Sequence, residues 1–269
     1  MVSKLFKHEF AALGRVLLPV EGIVLGVAVL CRVLQLFEWD NVVYDILFGS
    51  SIFFLVVANL VGIFMTIGMG VVRFYKNLFT AEGYLSFTLP ITPAQHIFVK
   101  LTANFLFQII SVAVCLLSVG IATAGEVLVE LFNAFQYLGD RVVEVAGIHF
   151  YVYLLEFLLL IILSSIGTTL LYYMCIAIGQ LARKNRVLTA IGVYFGVYSL
   201  TQIISTVGSV LIEVFHEDVP FETVMNWMEQ HLFTFIHLVL CGFVILSLMI
   251  AGVYFLITHT IIRKKLNLE

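Results

Sequence analysis

The chain predicts an all-α integral membrane protein with six transmembrane helices, and three observations carry that prediction. Hydrophobic residues make up 62% of its 269 positions and charged residues only 12%, where a water-soluble fold carries about 25% charged. Mean hydropathy is +1.10. The apolar residues come in long blocks separated by short charged ones, each block near the roughly 20 residues that cross the hydrocarbon core as a helix.

Six spans follow in order: Val16 to Phe37, Ile46 to Val72, Ile97 to Ala124, His149 to Leu181, Val187 to Ile212, and Leu232 to His259. The first block runs about 22 residues with no small-residue cleavage site after it, so it reads as a span rather than a removable signal. Residues 16–259 then form one six-span domain, with 1–15 before it and a tail, 260–269, after it.

Orientation comes from the basic residues, which accumulate in cytoplasmic loops. Lys4, Lys7 and Arg15 precede the first span; Arg73, Lys76 and Lys100 follow the second; Arg183, Lys184 and Arg186 follow the fourth; Arg263, Lys264 and Lys265 follow the sixth. Only Arg141 lies in the other three connections, and Arg32 falls inside the first span. Both termini are therefore expected in the cytoplasm. Acids crowd the opposite side, from Glu38, Asp40 and Asp45 to Glu213, Glu217, Asp218, Glu222 and Glu229.

Three amphipathic attachments are expected. In MVSKLFKHEFAALGR, Leu5, Phe6, Phe10 and Leu13 share one helical face while Lys4, Lys7, His8 and Arg15 stay polar. That pattern suits a short interfacial helix that turns into the bilayer at LLPVEG. Two more, EVLVELFNAFQYL and VPFETVMNWMEQHLF, fall on the outer side. Each reads as a helix seating its loop in the interface, with a substrate gate or partner site as the other reading.

The stretch RFYKNLFTAEGYLSFTLPITPAQHIFVK, residues 73–100, separates the second and third spans. Its end has a helix-start pattern: Thr92 as N-cap, Pro93 at the first position, and Gln95 placed to close a capping box. Pro90 with Pro93 stiffens the chain before that point. Upstream, Phe74, Leu78, Phe79, Tyr84, Leu85 and Phe87 accompany Lys76 and Glu82, with Gly83 as the expected break. A plain helix connection needs roughly 2–8 residues. Residues 73–96 are far longer, aromatic and cytoplasmic, which describes a contact surface; an interfacial helix lying on headgroups is the plainer alternative.

Polar residues inside the spans are few. Asn59, Asn104, Gln108, Gln202 and Ser205 lack partners in lipid, so each should face another helix or a transport path. Glu156 lies about two turns into the fourth span, where a carboxylate needs a partner or water, and Arg32 is one such partner. Glu21 and Arg32 are expected to snorkel from the ends of the first span. The four cysteines, all within spans, read as small buried hydrophobes. Glu213, His216 and Glu217 read as a solvated acidic cluster, not a metal site. No nucleophile with a base and no metal-ligand spacing such as H-E-x-x-H appears, so no catalytic residue is assigned. Nor is there a GxxxxGK[ST] loop, so this chain is expected to bind no nucleotide or other cofactor itself.

The order of interfacial helix, LLP, two spans, then NLFTAEGYLSFTLPITPAQ with a following Lys100 resembles the permease subunit of a type II ATP-binding-cassette exporter, of the short six-span kind found in Gram-positive bacteria. The resemblance in layout covers essentially the whole chain. It implies that the loop between spans two and three is a coupling helix docking on a separate ATPase subunit, through Phe79, Glu82, Gly83, Tyr84 and Leu85. It implies further that ATP and Mg are bound by that partner, that a second permease copy or a related permease completes the path, and that the complex sits in the bacterial plasma membrane. No nucleic acid is expected. The apolar walls suit a hydrophobic or amphipathic cargo, such as an antimicrobial peptide or lipid-like molecule. A secondary carrier or channel, or a membrane sensor or scaffold, are the competing classes; the carrier would want broken helices and charges near the midplane.

Overall fold

A computed structural model describes residues 2–37, 41–88, 90–182, 184–215, 227, 228 and 230–264, with the side chains of 81, 85–87, 145, 146 and 212–215 left aside. Eight helices account for nearly all of them: α1 (Val2–Gln35), α2 (Val42–Phe79), α3 (Ala81–Thr88), α4 (Pro93–Ala122), α5 (Glu126–Ala146), α6 (His149–Gly179), α7 (Arg186–Phe215) and α8 (Leu232–Lys264). Six of these, α1, α2, α4, α6, α7 and α8, are long and apolar enough to cross a membrane. The expected spans are therefore all present. The chain divides into two compact units, 1–141 and 142–269.

In the first unit α1, α2 and α4 pack on one another, and α3 packs on α2. Leu13 and Leu17 of α1 meet Ala103 and Phe107 of α4, with Phe6, Phe10, Met69 and Ile110 around them. Phe10 and Phe107 bring their ring centroids to 4.6 Å. A second cluster joins Ala28 and Cys31 to Leu55 and Ala122.

Two element boundaries differ from expectation. The separate interfacial helix is instead the first four turns of α1, which continues through Pro19 without ending. Its 34 residues reach about 50 Å, well beyond a hydrocarbon core of about 30 Å, so the segment can leave the bilayer without a break. Likewise α2 does not stop at Val72 but runs on through Arg73, Phe74 and Asn77 to Phe79. Its break comes at Thr80, whose backbone is extended (φ −113°, ψ −171°), not at Gly83, which lies buried inside α3.

The start of α4 follows the pattern read from TPAQ. The Gln95 amide donates to Thr92 Oγ1 at 3.3 Å, and the Thr92 amide donates to Gln95 Oε1 at 2.9 Å. This reciprocal cap, with Pro93 at the first helical position, fixes where the connection ends. Thr92→Ala is expected to cost about 1 kcal/mol of stability. An SDS unfolding titration of the purified protein checks it, with an unchanged midpoint counting against the cap.

Between α4 and α5 the chain turns at Ala124 and Gly125, both at positive φ (53° and 85°). α5 extends past the predicted EVLVELFNAFQYL to Ala146 and leaves Phe132, Phe135 and Leu138 exposed. The expected amphipathic segment before α8 lies largely outside the described residues.

The second unit is a three-helix arrangement in which α6 packs on both α7 and α8. At the α6 end, a Cβ on Gly179 would stand 2.7 Å from the Ala190 Cβ and 2.8 Å from the Arg186 carbonyl. Glycine is required there because only its bare backbone allows α7 to fold back so closely. Asn185 supplies the positive φ (54°) that ends the turn, a conformation Asn tolerates better than most residues. Large apolar side chains such as Phe195 and Leu248 remain exposed, as expected for helices whose solvent is lipid.

Candidate functional site

The chemistry of the first unit converges on Glu9, a residue to which the sequence reading gave no role. Position 9 lies three residues after Phe6 and four before Leu13, so it shares their apolar helical face. A lone acid on that stripe, in an otherwise basic segment, was the available signal. In the structure Glu9 is 6% exposed. Arg73 of α2 donates to its Oε2 from Nε at 3.2 Å and Nη2 at 3.1 Å. Asn77, one turn on, donates to Oε1 at 2.8 Å, and Lys100 of α4 donates to the same oxygen at 2.5 Å.

One carboxylate thus ties three helices together where they leave the span. The bonds are charge-assisted and of the strong class. Burial makes them consequential: Lys100 is 5% exposed, and an ammonium so enclosed needs a counter-charge to remain charged. Arg73 and Lys100 outnumber Glu9 by one positive charge. Glu82 of α3 adds a weaker negative influence on Lys100.

The five residues expected to dock a partner separate by exposure. Glu82 and Tyr84 are exposed on α3. Phe79 is 6% exposed and meets Phe74 edge-on with centroids 5.8 Å apart, and Gly83 is buried. Phe79 thus turns toward the protein beside the helix break. The side chain of Leu85 lies outside the described residues.

The polar residues expected to face helices or a path do not form one group. Asn59 accepts from Ser118 Oγ of α4 at 3.0 Å and donates to the Leu55 carbonyl of its own helix, which is interhelical bonding of the expected kind. Asn104 is fully buried, yet neither its Oδ1 nor its Nδ2 has a hydrogen-bond partner; it rests against the bare backbone of Gly70. Gln108 is half-buried. In the second unit Gln202 and Ser205 are exposed on α7. Glu156 is 8% exposed and pairs with His237 of α8, 3.2 Å from Nδ1 to either carboxylate oxygen.

Arg32 donates to Gln35 at 2.8 Å, one turn along its own helix. Two further expectations are corrected. Glu21 does not snorkel: it is 5% exposed and accepts from Thr66 Oγ1 of α2 at 3.5 Å, with Gly62 beside it. Its position on the inner face of α1 leaves its short side chain no route to the interface. Cys115 is only half-buried and Cys241 is exposed, whereas Cys31 and Cys175 are buried as expected. Among the described residues no group of three or more His, Cys, Asp or Glu is arranged to hold a metal ion; His216 and Glu217 lie outside them.

No family model, curated protein or solved structure matches the chain. Its six long apolar helices define the class, a multi-pass membrane protein; beyond that class, function rests on the residues themselves.

Proposed function

We propose that this chain is the permease subunit of an ATP-driven exporter, with α3 as the helix that receives the force of a separate ATPase. The observation that carries the reading is the short α3 between two spans, exposing Glu82 and Tyr84 while Lys100, within reach of Glu82, is bonded into the Glu9 cluster. A push on a helix joined only by flexible chain would dissipate. Here α3 packs on α2, and α2 is locked to α1 and α4 through Arg73, Asn77 and Lys100. Displacement of α3 then moves three helices together, as rigid-body gating requires.

On this reading both termini and α3 face the cytoplasm of a bacterial plasma membrane, and α5 lies at the outer interface. Two permease copies, or this chain and a related one, enclose the path, and the ATPase subunits bind ATP and Mg. The cargo is a hydrophobic or amphipathic compound, because its apolar area is favoured by apolar walls at about 25 cal/mol per Å² buried. A secondary carrier is the weaker reading, since each of the six spans runs as one continuous helix where such carriers use broken ones.

The test is copurification of the full-length protein with an ATPase from its native membrane. Glu82→Arg and Tyr84→Ala are each expected to reduce the recovered ATPase by at least about tenfold, the scale of a 1.4 kcal/mol loss at an interface. The permease itself should still elute as a folded species. Full ATPase recovery with both variants would overturn the assignment.

A further inference from the structure

A second set of titratable side chains, in the other unit, has no part in the coupling reading. His149 opens α6, and its Nδ1 stands 3.0 Å from Nε2 of His237 on α8. The opposite nitrogen of His237, Nδ1, faces both oxygens of Glu156 at 3.2 Å. The three groups form a continuous line from the helix end to a carboxylate about two turns deeper. Their rings are held in place. His149 stacks parallel to Phe233 with centroids 5.4 Å apart. Tyr153 packs against His237 at 4.3 Å, its hydroxyl donating to the Phe233 carbonyl at 3.0 Å.

We propose that His149, His237 and Glu156 form a proton-binding relay that loads Glu156 from the His149 end of α6. In the resting arrangement each neutral ring carries its proton on Nδ1: His149 donates to His237, and His237 donates to the ionised Glu156. A proton arriving at Nε2 of His149 makes that ring an imidazolium. Its Nδ1 proton passes to Nε2 of His237, and the Nδ1 proton of His237 passes to Glu156. Two neutral rings and a carboxylic acid remain, so one proton has entered and one has been delivered. Imidazole suits the task because its ordinary affinity lies close to physiological pH and its two nitrogens face opposite ways.

The remaining groups around Glu156 leave this path intact. Cys241 of α8 donates its S–H to Oε1 at 3.4 Å, a weak bond that does not compete for the other oxygen. Tyr153 is committed to the Phe233 carbonyl. On α7, Tyr194 stacks with Tyr172, about four turns farther along α6 than Glu156. A carboxylate at membrane depth is costly when charged, so delivery of a proton removes that charge and turns the charge-assisted His237–Glu156 bond between α6 and α8 into a neutral one. On the orientation proposed above, the relay opens to the outside; the relay itself does not depend on the ATPase reading.

Time-resolved infrared spectroscopy of the full-length protein in vesicles, sorted by which side displays a C-terminal tag, tests the proposal. A pH drop on the side opposite the tag is expected to produce a carboxylic C=O band that is lost in Glu156→Gln. Cys241→Ser, which alters a bond to the same carboxylate, should shift that band. In His149→Gln the fast phase of band growth is lost while the final amplitude is retained, a kinetic change that a merely structural histidine would not cause. A band insensitive to both Glu156→Gln and Cys241→Ser would overturn the proposal. So would growth equally fast in His149→Gln, or equally fast from the tagged side.

Discussion

Glu9→Ala is expected to destabilise the first unit by about 3–5 kcal/mol, the cost of stranding a buried charge, and more than Lys100→Ala or Arg73→Ala does. The asymmetry comes from what each change leaves behind. Without Glu9, Lys100 and Arg73 face each other with no counter-charge in the cluster, and Lys100 is 5% exposed. Without Lys100, Glu9 keeps both Arg73 bonds and the Asn77 amide. Without Arg73, the Lys100 and Asn77 bonds remain. The double variant Glu9→Leu with Lys100→Met removes two of the buried charges and should lose less than Glu9→Ala alone, because apolar replacement of both partners avoids the stranded ion. SDS unfolding titrations of the four variants give the order. If Lys100→Ala proves as costly as Glu9→Ala, the cluster is not organised around Glu9.

Fold was legible because lipid imposes one rule on every span: enough apolar residues in sequence to cross, with backbone groups satisfied within the helix. That rule is local, so all six spans appear in the chain itself. The TPAQ start was legible for the same reason, since Thr92, Pro93 and Gln95 form their cap within four positions. What required the structure was distance in sequence. Glu9 and Lys100 are 91 residues apart, and His237 and Glu156 are 81 apart; neither partner announces the other locally. Boundary errors share a cause too. The arrival of charge at Arg73 and the proline of LLP suggest breaks, but a helix longer than the bilayer carries charge outside it, and Pro19 removes one backbone bond without ending α1.

Gly70→Ala should cost about 1–3 kcal/mol, the range for overpacking a filled core, and the cost should fall sharply when Asn104 is also changed to Ala. A methyl group on Gly70 would overlap all three amide heavy atoms of the Asn104 side chain. Asn104 itself is 1% exposed and cannot swing into open space. Removing its amide opens room for the methyl and eliminates two buried polar atoms that have no hydrogen-bond partner. Such orphaned groups cost about 1–3 kcal/mol, so Asn104→Ala alone should be close to neutral despite the small cavity it leaves. The two positions matter to the cluster because of their register. Gly70 lies three residues before Arg73 and Asn104 four after Lys100, so this contact is the next layer along the same helical faces. Close approach of α2 and α4 at Gly70 is what lets Arg73 and Lys100 converge on one carboxylate. Gly70→Ala should therefore also weaken the dependence of stability on Glu9, which a double-mutant cycle between Gly70→Ala and Glu9→Ala measures. Strict additivity in that cycle, or an unchanged Gly70→Ala cost in the Asn104→Ala background, would show that the layer and the cluster are independent.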